Sequence, residues 1–95
     1  MTITLLVTIS GKAGHGKALA GILKSVPAEN DIDGCFGISV FLNNDNPDEV
    51  LIIEKWSSIE AHKKFLTGLS EIGGLDEMMM HATAVDRTYF TGVNE

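Results

Sequence analysis

One stretch decides how this chain folds: EKWSSIEAH, residues 54–62. The apolar, β-branched run that leads into it is typical of a strand, and this strand ends at the only tryptophan, Trp56. Either serine of the pair Ser57-Ser58 can cap the first free amides of a helix, and Glu60 stands where a negative charge favours the helix start. The stretch therefore predicts a strand that turns directly into a helix, a junction that can form a pocket wall.

The helix that begins there carries its histidine inward. His62 shares one helical stripe with Ile59, Leu66 and Leu69. An imidazole among apolar side chains loses water, which disfavours its charged form and lowers its pKa below the ordinary value of about 6.5. We therefore expect a neutral His62 that can act as a base.

Hydrophobic periodicity predicts the other elements around this junction. Residues 3–10 alternate as a strand does, and the spacing then changes to that of a helix that Pro27 ends. The turn-forming residues 43–48 connect two further strands as a hairpin. The expected strands are 3–10, 33–42, 50–56 and 83–90. The expected helices are 15–26, one from about residue 58, and a short third helix in which Ile72, Leu75 and Met79 keep helical spacing. Met78, Met79 and Met80 are expected to fill gaps in the core.

This order, β-α-β-β-α-α-β, predicts an α+β fold of the ferredoxin-like split β-α-β type, with a four-stranded antiparallel sheet and its helices on one face. The stretches Leu5-Leu6-Val7 and 50–53 are apolar on both sides of their strands. The face without helices would then expose apolar surface to water. A second copy is the simplest cover, and we expect a homodimer in which two sheets meet face to face.

Length and charge argue against several classes of protein. The 95 residues are expected to form one domain, 1–95, with a modest core of its own. Seven basic against thirteen acidic residues give a net charge of −6, which repels nucleic acid. Apolar runs are far shorter than the roughly 20 residues of a membrane helix, and the N-terminus lacks a secretory pattern. We therefore expect no nucleic-acid partner, no membrane partner and a cytoplasmic location.

Metal and nucleotide sites are also not expected. One cysteine, Cys35, and three scattered histidines lack the spacing of metal ligands. Residues 11–17 are rich in glycine and lysine, but Ala18 stands where a phosphate-binding loop has serine or threonine.

Four motifs stand together in the central part of the chain. They are Gly34-Cys35 at the start of a strand, the Asn/Asp/Pro hairpin at 43–48, Glu54-x-Trp56, and Ser58-x-Glu60-Ala61-His62. With them the chain resembles the antibiotic biosynthesis monooxygenase family, whose members form dimeric α+β barrels. The resemblance implies a small cavity between sheet and helices, in which some members oxidise polyphenolic or quinol-type aromatics with O₂ and no added cofactor. Other members degrade haem, isomerise small phosphorylated sugars or have no assigned reaction, and fold alone does not choose among them.

Two departures from the family pattern bear on activity. Many members place a histidine three residues after the position of His62, and this chain has Phe65 there. The branch that degrades haem uses an asparagine on its first strand, and residues 3–10 contain none. Haem degradation is therefore disfavoured. Any role that the family assigns to the second histidine does not carry over, because Phe65 stands at its position.

Three polar residues are candidates for catalysis. His62 would accept a proton from a phenolic or enolic substrate and return it later, and Arg87 would hold the resulting anion. Glu54 shares a strand face with Trp56, and it would be either a further base or a buried carboxylate paired with Arg87. Each of these side chains also has a purely structural interpretation. The aromatic residues expected either to line the cavity or to pack in the core are Trp56, Phe41, Phe65 and Tyr89.

The sequence leaves three hypotheses for function. The first is a cofactor-independent monooxygenase that acts on a small electron-rich aromatic. The second is a dimer without catalytic activity that binds a small metabolite in the same cavity. The third is an isomerase of a small carbonyl compound, with Glu54 and His62 as proton shuttles.

Overall fold

The described residues form seven elements in the predicted order. The computed structural model describes residues 2–24, 32–73 and 75–93. The strands are β1 (Ile3–Gly11), β2 (Cys35–Leu42), β3 (Glu49–Trp56) and β4 (Ala82–Thr91), and the helices are α1 (Gly16–Lys24), α2 (Ile59–Glu71) and α3 (Asp76–His81). The strands form one antiparallel sheet in the order β2-β3-β1-β4. The predicted element order and the α+β fold with a four-stranded antiparallel sheet are thus confirmed.

Strand alternation divides the sheet into two unlike faces. On the covered face, which packs against the helices, every second residue of β1 and β3 is buried, and α1 adds Leu19 to this core. Its strand members are Leu5, Val7, Ile9, Val50, Ile52, Glu54 and Trp56. The opposite face, here called the open face, carries Leu6, Leu51, Ile53, Phe41 and Phe90.

The start of α2 is fixed against the start of β2. Ser58 is the cap, because its Oγ accepts a hydrogen bond of 3.1 Å from the Ala61 amide. The Ser57 amide in turn donates to the Gly34 carbonyl at 2.8 Å. Gly34 has φ of 81°, and a Cβ there would lie 2.8 Å from that of Ala61, so glycine is needed on both counts. The Gly34-Cys35 motif therefore holds the helix that carries His62.

Two details of the predicted elements differ from the structure, and a third lies outside the described residues. Residues 25–31 lie outside the described part of the chain, and with them the predicted end of the first helix at Pro27. Ile72 caps the end of α2 and is 81% exposed, so it does not belong to the stripe of the short helix. Of the three consecutive methionines only Met78 is buried, because three consecutive helical residues point in different directions and only one of them faces the core.

Candidate functional site

The covered face and α2 bring three polar side chains into one cavity. Across the sheet, Leu5 pairs with Glu54 of β3 on one side and with Tyr89 of β4 on the other, and Val7 pairs with Arg87. α2 adds His62 from above. Glu54, His62 and Arg87 line a cavity of about 70 Å³, whose remaining lining is apolar and comes from every strand and helix. A few polar groups in an apolar hollow are typical of a small-molecule site.

His62 is the most enclosed of the three, with only 2% of its surface exposed. Its Nδ1 lies 2.7 Å from the Tyr89 Oη, and its ring packs edge-on against Trp56 with centroids 5.2 Å apart. Burial, and secondarily the positive charge of Arg87, lower the pKa of the imidazole from 6.5 to about 4. The expected direction of this shift is confirmed, and His62 is neutral at pH 7.

Glu54 is held by the indole of Trp56. The Trp56 Nε1 donates a hydrogen bond of 2.7 Å to the Glu54 Oε1. Burial raises the pKa of the Glu54 carboxyl, although the indole hydrogen bond and the Arg87 charge both act against that rise. The direct partner of Glu54 is thus the indole, whereas Arg87 acts on it as a nearby charge.

The aromatic residues predicted to line the cavity have four different placements. Phe65 lines it and stacks at a tilt on Trp56, with centroids 5.5 Å apart. Trp56 is fully buried behind Glu54, His62 and Phe65, so it supports the lining. Tyr89 is half-buried and bonded to His62, and burial raises its pKa, with Arg87 acting against the rise and Glu54 adding to it.

The placement of Phe41 corrects the sequence interpretation. Phe41 pairs with Leu51, which puts its side chain on the open face, away from the cavity. Its neighbours Ile38 and Val40 line the cavity instead. The alternation of β2 already contained this signal, because an odd-numbered residue cannot share a face with Ile38 and Val40 on a regular strand.

A groove on the outer side of α2 lies next to the cavity. This outer groove has a volume of about 460 Å³ and is bounded by residues 32–34 and by α2. Its lining mixes apolar side chains with Asp33, Ser57 and Lys64. Phe65 and Leu69 line both spaces, so these two side chains form the wall between them.

The glycine-rich stretch 11–17 has a structural role that the sequence did not reveal. The Asp48 carboxylate accepts hydrogen bonds of 3.1 Å from the amides of both Gly14 and Gly16, at the start of α1. A Cβ on Gly16 would collide with the Pro47 carbonyl. The stretch therefore binds an anion that the chain itself supplies from 32 residues away.

Two of the three histidines that looked scattered in the sequence meet in the fold. The Nδ1 of His15 lies 2.8 Å from the Nδ1 of His81, at the end of α3. Within residues 2–24, 32–73 and 75–93, no three His, Cys, Asp or Glu side chains group in a way that could hold a metal ion. In the same part of the chain, no helix combines the length and the apolar character needed to cross a membrane.

Comparison with known proteins gives a consistent result. A family model described as antibiotic biosynthesis monooxygenase matches residues 2–68. No curated protein matches the chain. A crystal structure of a candidate antibiotic biosynthesis monooxygenase from Chloroflexus aurantiacus superimposes with a TM-score of 0.82 at 24% identity, covering 100% of this chain and 96% of that one.

Two further solved structures share the fold at lower identity. SnoaB from Streptomyces nogalater, described as a cofactor-independent oxygenase, gives a TM-score of 0.81 at 10% identity over 99% of this chain and 95% of its own. Rv0793 from Mycobacterium tuberculosis gives a TM-score of 0.82 at 15% identity over 100% of this chain and 98% of its own. At these identities the likeness shows the fold alone.

Proposed function

Because the chain belongs to the antibiotic biosynthesis monooxygenase family, we propose that it oxidises a small electron-rich aromatic of the quinol or polyphenol type with O₂ and without a cofactor. The observation that carries this proposal is that Glu54, His62 and Arg87 line one mainly apolar cavity. SnoaB, which has the same fold, is described as a cofactor-independent oxygenase, and this supports the same class of reaction here.

In this reaction the substrate supplies all the electrons. A phenol loses its proton to the protein, and the phenolate donates electron density to O₂ so that a C–O bond forms at a ring carbon. The peroxide anion takes the proton back from the protein and becomes a hydroperoxide. Loss of water from this hydroperoxide breaks the O–O bond and a ring C–H bond. One phenol and one O₂ thus give one quinone and one water. The protein has to hold the anion in an oriented position that excludes water.

The electrostatics of the cavity favour Glu54 as the proton acceptor. An imidazole with a pKa of about 4 is neutral at pH 7, but it holds an added proton weakly. Burial acts in the opposite direction on Glu54, since it raises the pKa of the carboxyl and makes the carboxylate a stronger base. We therefore assign the proton to Glu54, a neutral hydrogen-bonding role to His62, and stabilisation of the phenolate to Arg87.

Oxygen consumption tests this proposal directly. We expect O₂ uptake with a panel of hydroquinones and phenols in a reaction without added flavin or metal. Glu54→Gln should slow this uptake at least about 100-fold, because general base catalysis commonly contributes that much. The matched control is Glu60→Gln, an exposed residue of the first turn of α2. The proposal fails if no compound is consumed above its uncatalysed rate, or if both variants behave alike.

A non-catalytic protein that binds a small metabolite is the second candidate. The cavity volume of about 70 Å³ is about half that of a dry cavity of about 150 Å³ that binds benzene, and this favours a metabolite smaller than an aromatic ring. A binding protein would be stabilised by its ligand through mass action while it consumes no O₂. Thermal unfolding with the same panel, extended by metabolites smaller than an aromatic ring, separates the two candidates.

We also propose that two copies associate through their open faces. Phe41 and Phe90 are each 48% exposed there, and they flank the half-buried Leu6, Leu51 and Ile53. Apolar patches of this kind are characteristic of interfaces between proteins. The cytoplasm is the proposed location, in keeping with a sequence that contains a single cysteine.

A further inference from the structure

Phe65 stands between two spaces of very different size. It lines both the cavity of about 70 Å³ that contains Glu54 and His62 and the outer groove of about 460 Å³. Leu69, one turn further along α2, completes the same wall. Access from the groove to the polar end of the cavity is therefore governed by side chains of a single helix.

The cavity in this form is too small for an aromatic ring. A dry cavity that accommodates benzene has a volume of about 150 Å³, about twice the volume enclosed here. Most of the remaining lining packs in the hydrophobic core, including Val7, Ile52 and Met78. Enlargement from that side would disrupt the core, whereas enlargement toward the groove would not.

Phe65 is the lining residue whose side chain has room to move out of the cavity wall. Its ring is only partly buried, and it rests on Trp56 at a centroid distance of 5.5 Å. The groove on its other side offers more room than a phenyl ring needs. A Phe65 ring turned into the groove would leave a space that joins the cavity and adds the volume of a ring beside Glu54 and His62.

We propose that Phe65 is the residue that sets the size of ligand this protein accepts. In its observed position it limits the cavity to molecules smaller than one aromatic ring. An aromatic ligand reaches Glu54 and His62 when Phe65 turns away from Trp56 into the outer groove. The proposal rests on the cavity of the proposed function, but it concerns binding and not turnover.

Three variants on one helix separate the role of Phe65 from a simple change of volume. Phe65→Ala removes the wall. Leu66→Ala removes a side chain of similar size that lines the cavity but not the groove. Gly68→Leu fills the groove from outside, where a Cβ at Gly68 would meet no atom within 4 Å, and a helical leucine is favoured over glycine.

The probes are phenol and 2-naphthol, and binding is measured by calorimetry without oxygen so that no probe is consumed. Because only the conformers with Phe65 displaced would bind a ring, wild-type affinity is reduced by their small population. Phe65→Ala should bind 2-naphthol at least about tenfold more tightly than wild type, which is the scale on which pocket size discriminates. Leu66→Ala should gain less affinity for 2-naphthol than Phe65→Ala does. Gly68→Leu should bind phenol and 2-naphthol more weakly than wild type.

The proposal is overturned if Leu66→Ala gains as much affinity as Phe65→Ala, or if Gly68→Leu leaves affinity unchanged. Should Phe65→Ala fail to fold, Phe65→Leu and Gly68→Leu provide the same comparison. O₂ uptake measured separately keeps the two proposals distinguishable. The expected binding pattern without O₂ uptake overturns only the monooxygenase function, and uptake with no dependence on Phe65 overturns only the size limit.

Discussion

The two faces of the sheet are built from the same strands and serve different ends. The covered face buries polar groups beside its apolar core, and it gives Glu54, His62 and Tyr89 partners within 2.7 Å. On the open face, Phe41 and Phe90 remain about half exposed. Polar groups are thus buried where they have partners, whereas half-exposed apolar side chains lie on the face through which we propose that two copies associate.

Truncation of Trp56, at the centre of the covered face, should have the largest effect on stability. Trp56 has no exposed surface and contacts Glu54, His62 and Phe65. Trp56→Ala should lower the free energy of unfolding by about 3–5 kcal/mol, because it leaves a cavity and an unpartnered carboxylate. Urea denaturation measures the loss. Ile72→Ala, at a site 81% exposed, should change stability by less than about 0.5 kcal/mol. Equal losses in the two variants would contradict the assignment of Trp56 to the core.

Acid should weaken the covered face through His62. The folded pKa of about 4 lies below the unfolded value of 6.5, so the unfolded chain takes up a proton first as the pH falls. The stability due to the neutral imidazole is complete above about pH 6.5, declines below it and is lost near pH 4, a total of ~3 kcal/mol. The raised pKa of Glu54 acts in the opposite sense, because the folded state then takes up a proton before the unfolded chain does.

The measurement is the free energy of unfolding from pH 7.5 to pH 4 for wild type, His62→Gln and Lys63→Gln. His62→Gln should remove most of the acid-induced loss of unfolding free energy. Lys63→Gln should leave that loss unchanged, because Lys63 is exposed. A pH profile that is unchanged in His62→Gln would place the titration elsewhere.

A charge on the open face tests whether that face is the interface. Ile53 lies on it, next in sequence to the buried Ile52 of the covered face. Ile53→Asp should raise the dimer dissociation constant at least about 100-fold, since an unpaired carboxylate would have to be buried. Analytical ultracentrifugation reports the mass, with Lys63→Asp on the exposed side of α2 as control. A wild-type monomer at micromolar concentration would end the proposal that the open faces associate.

The smallest expected effect concerns the loop that leads into α1. Asp48→Ala removes the acceptor of the Gly14 and Gly16 amides and should cost about 0.5–2 kcal/mol, as the loss of a helix cap does. Asp45→Ala in the same hairpin, where the side chain is exposed, should cost less. Thermal unfolding of the two variants compares them, and a larger effect at Asp45 would refute the capping role.

Periodicity predicted most of the fold because it reports on local geometry. Alternation and helical spacing gave the order of elements, and the i, i+2 relation put Glu54 and Trp56 on one face. The same local reasoning gave the direction of the pKa shift of His62, since its stripe is apolar. The same alternation puts Phe41 on the open face, apart from Ile38 and Val40.

The rest of the site depends on contacts between distant parts of the chain. Tyr89 reaches His62 across 27 residues, and Asp48 reaches the start of α1 across more than 30. No local pattern encodes such pairs, because they follow from how the strands align and how α2 lies on the sheet. The wall that Phe65 forms between cavity and groove is likewise a property of packing, not of spacing.

The Asp48 carboxylate joins the β2–β3 hairpin to the start of α1 through the Gly14 and Gly16 amides. The hairpin and the helix therefore have to be exchanged together when parts of this chain are swapped with those of a relative. A chimera that replaces residues 43–48 with the hairpin of a relative must bring an aspartate at the same place, or α1 loses its anchor. Circular permutants opened within this hairpin would sever the carboxylate from one of its flanking strands. New termini are better placed outside residues 43–48. Directed evolution of the cavity can leave Asp48, Gly14 and Gly16 unchanged.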